Sequence, residues 1–326
     1  MNASATENVA FDLRLLRQFA VLAEELHFGR AATRLAMTQP PLTQAIQRLE
    51  AALGVRVFER GQRRVRLSAA GEALLPLARR LLADAAAIGP AVQAAADGRA
   101  GPLRLAFVSS VAYGPLPAWL NGFRAACPDV QFSLREATLD VQLELFAAGE
   151  IDAGLVLHAP GSGLPAFESI PVLEEALVLA VPEGHPVLAG AAPDARDGLA
   201  RLRWRQVAAL PLVIFPRRIA PSLFDALATA CRASGHEMQI AQEAIQMQTI
   251  VNLVSGGMGV AWVPRSVTQF RRPGVRYARV MGAPAGALAC RTSLVWRPDA
   301  PPVVRRFVRH VAAVTGQGAL AATIPG

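Results

Sequence analysis

The sequence contains no lysine, no long apolar run and only three cysteines in 326 residues. The cysteines, Cys127, Cys231 and Cys290, are odd in number and widely spaced, which argues against a disulfide framework and favours a reduced, cytoplasmic protein. The most apolar tracts, residues 176–181 and 210–215, are far shorter than the ~20 residues that cross a bilayer. The first fourteen residues lack the basic and then apolar order of a secretory signal. We therefore expect a cytoplasmic chain without membrane contact.

The sequence motifs of enzymes are also missing. The five histidines are scattered without the spacing of metal ligands, and no nucleophile elbow, phosphate loop or dinucleotide fingerprint occurs. The glycine-rich run at 256–259 leads from a predicted helix into a predicted strand, the reverse of the order in a phosphate loop. We therefore predict that the chain is not an enzyme and binds neither a cofactor nor a metal ion. A cytosolic solute-binding or enzymatic α/β protein is the alternative from another class.

Positive charge is present in excess. The formal net charge is +8, and arginine supplies every basic side chain apart from histidine. Such a charge suits a polyanionic partner such as nucleic acid. The length exceeds that of one typical domain, and the apolar content of 52% is ample for buried cores. We therefore expect two or more domains.

Two short apolar stripes near the N-terminus are separated by a proline-rich corner. Apolar residues recur at helical spacing over 31–36 and again over 42–53. Thr38 is predicted to cap the second helix, whose first turn accommodates Pro40 and Pro41. Two helices that meet at such a corner form a helix-turn-helix, and its second helix lies in the major groove of DNA.

A basic hairpin is predicted directly after this helix pair. Residues 55–60 and 65–67 alternate like two short strands, and residues 61–64 make the turn between them. The hairpin carries five arginines and a single acid, Glu59. That density of positive charge favours contact with phosphates. The pattern predicts a wing beside the helix-turn-helix.

A long helix capped by Ser68 is predicted next, over residues 69–97. It has about 28 residues and a length of about 42 Å, and we expect a kink or a break near Gly89 because Pro90 follows. A small domain cannot bury its apolar stripe, which runs from Leu74 to Val92. We therefore predict that the helix pairs with a second copy, in a homodimer or a homotetramer. Residues 98–102 are predicted to form a hinge.

From residue 103 onward, predicted strands and helices alternate. The order over residues 103–157 is βαβαβ, which implies a parallel sheet with right-handed crossovers. A second α/β set follows, and the chain ends with a strand at 294–297 and an amphipathic helix at 303–314. The fold class predicted from these patterns is α/β, with an all-α head and a long linking helix.

Both halves resemble the LysR-type transcriptional regulators, over about residues 11–310. Residues 31–60 match the specific pattern A-A-x-x-L-x-x-[ST]-Q-P-P-L-[ST]-x-x-I-x-x-L-E-x-x-L-G-x-x-L-F-x-R, with Val57 in place of the usual leucine. Gln44 stands where many members carry arginine. The segments LRLAFVSS, LFAAGEIDAGLV and LVSGGMGVAWVP are similar to signatures of the family's effector domain. Within the family the chain looks closest to the regulators of aromatic-compound breakdown.

The resemblance implies a complete architecture. Residues 11–68 would form a winged helix-turn-helix, 69–97 the linker and dimerisation helix, and 98–102 the hinge. Residues 103–314 would form a two-lobed, periplasmic-binding-protein-like effector domain. Its first lobe would comprise about 103–170 and 270–314, and its second lobe about 171–269. Such a regulator would bind a pseudo-palindromic site in double-stranded DNA, respond to a small organic acid between the lobes, and possess a surface for RNA polymerase.

The start of the recognition helix is predicted to face base edges. Glutamine can bond bidentately to adenine, and threonine or proline can contact a thymine methyl group. The alternative for Pro40, Pro41 and Thr43 is that they only shape the helix start. The arginines would contact phosphates, with surface ion pairs or a solvated turn as the alternative. The predicted DNA contacts are Gln39, Pro40, Pro41, Thr43, Gln44, Arg34, Arg48, Arg63 and Arg64.

Small polar residues follow two neighbouring strands of the predicted sheet. Their hydroxyl and N–H groups can hold a carboxylate at the carboxyl ends of the strands, and helix capping is the alternative role. By resemblance, Ser110 and Thr138 match the positions that contact the effector. Phe215 would stack on a ring, and Arg217 or Arg218 would pair with an acid. The predicted effector contacts are Ser109, Ser110, Thr138, Phe215, Pro216, Arg217 and Gln246.

A redox-sensing regulator of the same fold is the alternative function. The peroxide-sensing branch of the family uses a nearby pair of cysteines. Cys231 has no second cysteine within reach in the sequence. We therefore interpret the three thiols as buried core residues.

Overall fold

The computed structural model describes residues 12–60, 65–195 and 197–317. The chain divides into two compact units, residues 1–93 and 94–326. The predicted wing turn, with Arg63 and Arg64, lies outside the described residues. Among the helices in the described ranges, none is long and apolar enough to cross a membrane.

The first unit is a winged helix-turn-helix followed by one long helix, as predicted. Its elements are α1 (Leu13–Glu25), α2 (Phe28–Arg34), α3 (Gln39–Leu53), β1 (Phe58–Arg60), β2 (Val65–Leu67) and α4 (Ala69–Ala96). The strands β1 and β2 pair antiparallel. The core combines Phe19 and Leu22 of α1 with Leu42 and Ile46 of α3, and Phe58 of the wing closes it. The period-3.6 apolar stripes of the sequence therefore supply the buried faces.

Polar contacts set the ends of these helices. The Asp12 carboxylate caps α1 by accepting a hydrogen bond from the Leu15 N–H at 2.9 Å. Thr38 occupies the N-cap position of α3, as predicted, but its side chain makes no capping hydrogen bond there. The Glu50 carboxylate, near the other end of α3, accepts hydrogen bonds from the Val57 and Phe58 N–H groups at 3.0 and 3.3 Å. This carboxylate ties the wing to the recognition helix.

Helix α4 is continuous over its 28 residues. It runs through Gly89 and Pro90 without interruption, so the predicted break is absent. A proline removes only one helical hydrogen bond, and the turns on either side keep theirs. The Ser68 hydroxyl caps it by accepting from the Gly71 N–H at 3.1 Å. Along its outer surface, large apolar side chains are about half exposed or more. They are Leu77, Leu81, Ile88 and Val92.

The second unit is a mixed α/β domain. Its strands are β3 (Ala100–Phe107), β4 (Asp129–Glu136), β5 (Ala153–His158), β6 (Glu168–Pro182), β7 (Ala200–Arg203), β8 (Leu212–Ile214), β9 (Ile240–Glu243), β10 (Ala261–Pro264), β11 (Val275–Met281) and β12 (Ala289–Trp296). Its α-helices are α5 (Ser109–Ala112), α6 (Leu116–Ala126), α7 (Leu139–Ala147), α8 (Trp204–Val207), α9 (Pro221–Ala233), α10 (Met247–Ser255) and α11 (Pro302–Val314). Short 3-10 helices cover Pro186–Leu188, Arg217–Ile219 and Arg265–Gln269.

One curved sheet, in the order β4-β3-β5-β12-β6-β11-β7, runs through the domain. Strand β3 is parallel to both β4 and β5, as the βαβαβ pattern predicts. Strand β12 is antiparallel to β5 and β6, so the sheet is mixed. The fifteen-residue strand β6 belongs to both lobes, because it pairs with β12 along most of its length and with β10 and β11 near its end.

The cores define the lobes and shift their predicted boundary. The core of the first lobe includes Leu103, Phe123 and Phe307. The core of the second lobe extends from Leu177 to Cys290 and includes Ala278 and Val280 of β11. The assignment of residues 270–290 to the first lobe is therefore wrong, since β11 pairs with β6 and β7 in the second lobe.

The predicted hinge at 98–102 is also shorter than expected. Residues 100–102 form the start of β3 and pair with residues 129–131 of β4. Pro102 fits there because β5 pairs with β3 only from Leu105 onward, so its missing N–H faces no partner strand. Gly98, with φ +68°, lies so close to the main chain at Pro302 and Val303 that a Cβ there would approach the Val303 nitrogen to 2.8 Å. The chain is therefore held closely where flexibility was expected.

We predict that Gly71→Ala destabilises the first unit. A Cβ at Gly71 would overlap the Val57 carbonyl oxygen of the wing and lie 2.8 Å from Leu67 Cδ2. Overpacking against main chain costs about 1–3 kcal/mol. Amide hydrogen exchange of the buried α1 and α3 amides should show this loss. Ala73→Ser, at an exposed position of the same helix, is the control. Unchanged protection in Gly71→Ala would contradict the close packing of the wing on α4.

Candidate DNA interface and effector cleft

The predicted base contacts lie on the solvent face of α3. Gln39, Pro40, Pro41 and Gln44 are exposed, whereas the opposite face carries the buried apolar residues. Thr43 is half-buried, and its hydroxyl donates to the Gln39 carbonyl oxygen at 3.1 Å. This bond occupies the hydroxyl hydrogen, so Thr43 offers a base its methyl group and the lone pairs of its hydroxyl oxygen.

The arginines of this region differ in their surroundings. Arg48 is exposed on α3 and, within the described part of the chain, forms no ion pair. Arg34 pairs with Glu24 and Glu25, with N–O distances of 2.9 and 3.2 Å. Hydrogen bonds to Glu25 and Glu24 raise the pKa of Arg34. The surface-pair alternative therefore describes Arg34 in this structure, whereas the guanidinium of Arg48 is available to a phosphate.

A narrow cleft between the lobes brings together most of the predicted effector contacts. Ser109 and Ser110 follow β3, Thr138 follows β4 at the N-cap of α7, and Gln246 occupies the N-cap position of α10. Phe215 comes directly after β8 and is buried. The cleft is lined by Val108, Ser109, Ser110, Ala137, Thr138, Leu157, Phe215, Ile219, Ala220, Ile245, Gln246 and Met247. The carboxyl ends of the parallel strands thus meet at one site, as predicted.

Two predicted contacts, Pro216 and Arg217, do not line this cleft. The Arg217 guanidinium instead donates two hydrogen bonds of 2.7 Å to the Asp225 carboxylate on α9. This bond lowers the pKa of Asp225. The prediction was wrong because a carboxylate lies eight residues away, on the first turns of the following helix. The neighbouring Arg218 pairs across the lobes with Asp140 at 3.3 Å.

The polar side chains of the cleft differ in whether they have a hydrogen-bond partner. The Thr138 hydroxyl donates to the Asp140 carboxylate. The Ser109 Oγ accepts a hydrogen bond from the Met247 N–H at 3.4 Å. Ser110 is only 2% exposed, and its Oγ has no partner among the described residues. An unpaired buried hydroxyl is costly, so Ser110 stands out as a group that a ligand would satisfy.

The main chain of Ser110 is held by residues that the sequence did not single out. The Ser266 hydroxyl, which has one hydrogen, lies between two acceptors, the Glu175 carboxylate at 3.1 Å and the Ser110 carbonyl oxygen at 3.3 Å. The Glu175 carboxylate also accepts from the Ser266 N–H at 2.7 Å. Burial raises the pKa of Glu175, although the hydrogen bonds from Ser266 oppose the rise. No local motif marks these residues, because the three segments meet only in the folded domain.

The walls of the cleft are mostly apolar. Ile219, Ala220, Ile245 and Met247 join Phe215 on the second lobe, and none of the twelve lining residues is charged. The cavity in the cleft has a volume of only about 30 Å³. An organic ligand larger than a few atoms therefore requires the lobes to open.

The three thiols lie in the cores of the second unit. Cys127, Cys231 and Cys290 are buried and free. Burial raises the pKa of Cys231 and, more strongly, that of Cys290, where Glu175 and Glu174 add to the effect. Thiols of this kind are poor nucleophiles. Within the described ranges, no cluster of histidine, cysteine and carboxylate side chains could hold a metal ion.

The fold and the sites define a class of protein: a DNA-binding regulator that combines a winged helix-turn-helix with a two-lobed ligand-binding domain. Residues 13–72 match the bacterial regulatory helix-turn-helix protein, lysR family, and residues 96–316 match the LysR substrate binding domain. The chain belongs to the LysR family of transcriptional regulators and is not an enzyme. The family resemblance noted in the sequence is therefore confirmed.

Known relatives span nearly the whole chain. The HTH-type transcriptional regulator IlvR of Caulobacter vibrioides is 41% identical over 301 residues, which cover 92% of this chain and 97% of the relative. The crystal structure of full-length CbnR complexed with its target DNA has a TM-score of 0.76 and 31% identity, and covers 94% of this chain and all of that chain. The oxidized form of OxyR from Corynebacterium glutamicum has a TM-score of 0.53 and 28% identity, with coverage of 98% of this chain and 97% of that chain.

We predict that the three thiols of the folded protein do not react with a disulfide reagent such as Ellman's reagent. Burial keeps all three thiols out of contact with the reagent, and the raised pKa values of Cys231 and Cys290 keep these two protonated. Absorbance should show no fast release of thionitrobenzoate in native buffer and three equivalents after unfolding in guanidinium. Fast labelling of Cys231, abolished in Cys231→Ser, would instead favour the redox-sensing alternative.

Proposed function

We propose that this regulator recognises its site mainly through the neutral side chains at the start of α3. Gln39 and Gln44 are exposed there and can each form a bidentate contact with adenine. Arg48, on the same helix, supplies charge to the phosphates, and the wing arginines Arg63 and Arg64 extend this contact. Sequence preference and overall affinity then reside on different side chains.

We propose that the functional unit is an oligomer built on α4. Its half-exposed apolar stripe, from Leu77 to Val92, lies on the outer side of the helix. A second copy of α4 would bury this stripe, giving a homodimer whose two heads contact a pseudo-palindromic site. Pairs of such dimers would form a homotetramer, which we expect to contact RNA polymerase at its promoters.

The activity of the regulator is proposed to respond to a small organic acid in the interlobe cleft. One observation carries this proposal: the Ser110 hydroxyl is buried at the cleft without a hydrogen-bond partner among the described residues. Phe215 and the aliphatic walls accommodate an apolar body, which agrees with the resemblance to regulators of aromatic-compound breakdown. A ligand that binds one arrangement of the lobes more tightly shifts the population toward it, and this shift would alter the action on DNA.

We predict that Gln39→Ala lowers sequence preference, whereas Arg48→Ala lowers affinity for all DNA. Gln39→Ala should lower the ratio of specific to non-specific affinity about tenfold or more, because a bidentate base contact contributes about 1–3 kcal/mol. Arg48→Ala should weaken binding to all duplexes and reduce the slope of log K against log salt by about one. Fluorescence anisotropy on a site selected from random duplexes, and on a scrambled duplex, measures both. Equal losses on the two duplexes for Gln39→Ala would refute its contact with a base.

We predict that Ser110→Ala stabilises the ligand-free protein. Removing a buried hydroxyl without a partner recovers its desolvation cost of about 1–3 kcal/mol, which corresponds to a rise in Tm of roughly 2–4 °C or more. The same variant should lose the thermal shift that organic acids give to the unchanged protein. Ser133→Ala, on an exposed part of β4, is the matched control. A lower Tm for Ser110→Ala would show that the hydroxyl already has a partner.

A further inference from the structure

Thr138 presents a hydrogen-bond acceptor to the cleft. A threonine hydroxyl has one hydrogen and two lone pairs. The hydrogen of Thr138 is donated to the Asp140 carboxylate, whose other oxygen lies 3.3 Å from the Arg218 Nε. Since the hydrogen is engaged with a charged partner, the lone pairs are what Thr138 offers to a ligand.

Donors lie beside Thr138, on the neighbouring strand end. The Ser110 hydroxyl is buried and has no partner in the described part of the chain, and the Ser109 Oγ accepts the Met247 N–H, so its own hydrogen is not used in that bond. Ser266 holds the Ser110 main chain in place. The nine-residue helix α10 begins at the same place, and the positive end of its dipole favours an anion there. This side of the cleft therefore suits an anion.

The spacing of the two sides follows from the sheet. Phe107 of β3 and Glu136 of β4 are register partners, and the serines and Thr138 come two or three residues later on these adjacent parallel strands. Neighbouring strands lie about 4.8 Å apart. Two groups on adjacent carbon atoms of a ligand can therefore reach the donor side and the acceptor at the same time.

From this division of donors and acceptor, we infer that the cleft binds a carboxylic acid that carries a hydroxyl or an ammonium group on the carbon next to the carboxylate. The carboxylate accepts from Ser109, Ser110 and the start of α10. The adjacent group donates to the Thr138 hydroxyl oxygen, and the apolar body lies against Phe215 and Met247. This inference rests on the proposed function of the cleft as an acid-binding effector site.

The experiment is isothermal titration calorimetry of the full-length protein with matched acids. One pair is 2-hydroxy-4-methylpentanoate and 4-methylpentanoate, and a second is mandelate and phenylacetate. Leucine carries an ammonium group where 2-hydroxy-4-methylpentanoate carries a hydroxyl, so the two affinities show which donor the cleft prefers. In at least one pair, the 2-substituted acid should bind about tenfold more tightly than its parent acid, since the parent leaves the acceptor unpaired.

Variants identify the acceptor. Asp140→Ala releases the Thr138 hydrogen, so the ratio of about tenfold should fall to about one as the parent acid gains affinity. Thr138→Val should remove the preference as well. The control is Arg218→Ala, which keeps Asp140 and Thr138 and should retain the preference. A preference that persists unchanged in both Asp140→Ala and Thr138→Val would overturn the inference.

Two other results would also overturn it, and they separate it from the proposed function. If the unchanged protein binds the parent acids as tightly as the 2-substituted acids, or more tightly, the ligand needs no donor next to its carboxylate. The cleft would still be an acid-binding site. If the protein binds none of the five acids but still binds its selected DNA site, the cleft is not an acid-binding site. The DNA-binding function would be unaffected by that result.

Discussion

The long strand β6 limits how the two lobes of the effector domain can move relative to each other. It pairs with β12 in the first lobe and with β10 and β11 in the second, so one continuous strand joins the lobes. The lobes therefore cannot move as independent bodies. Opening of the cleft must therefore come from bending at the crossing strands and from exchange of the few contacts that close it. Those contacts include Arg218 with Asp140 and Ser266 with Ser110.

These closing contacts are individually weak, so little free energy is needed to exchange them when the lobes move. The Arg218 side chain is well exposed, and the Ser266–Ser110 bond is long for a hydroxyl donor. The buried Ser110 hydroxyl moreover gains no hydrogen bond from the described protein residues in this arrangement of the lobes. A ligand that satisfies this hydroxyl stabilises the closed arrangement selectively, which is the differential affinity that any ligand-driven change requires.

Local patterns of the sequence predicted the parts of the fold that depend on local structure. The stripes of α1 and α3 and the strands that precede Ser109 and Thr138 follow from apolar periodicity and turn residues. Strand β11 and the first half of β6 were missed, because their stability comes from pairing with strands distant in the sequence. Arg217 was misplaced for the same kind of reason, since its orientation depends on Asp225 rather than on its own segment.

The two faces of α3 explain how one helix can serve both stability and recognition. Leu42, Ile46 and Leu49 are fully buried, so substitutions on that face are limited by packing. The exposed face carries no such limit, and there the chain places neutral amides at Gln39 and Gln44 and a single arginine at Arg48. An amide at position 44 carries no charge. In the proposed mode of recognition, Arg48 and the arginines of the wing sequence supply charge for DNA affinity, and the start of the helix discriminates between bases.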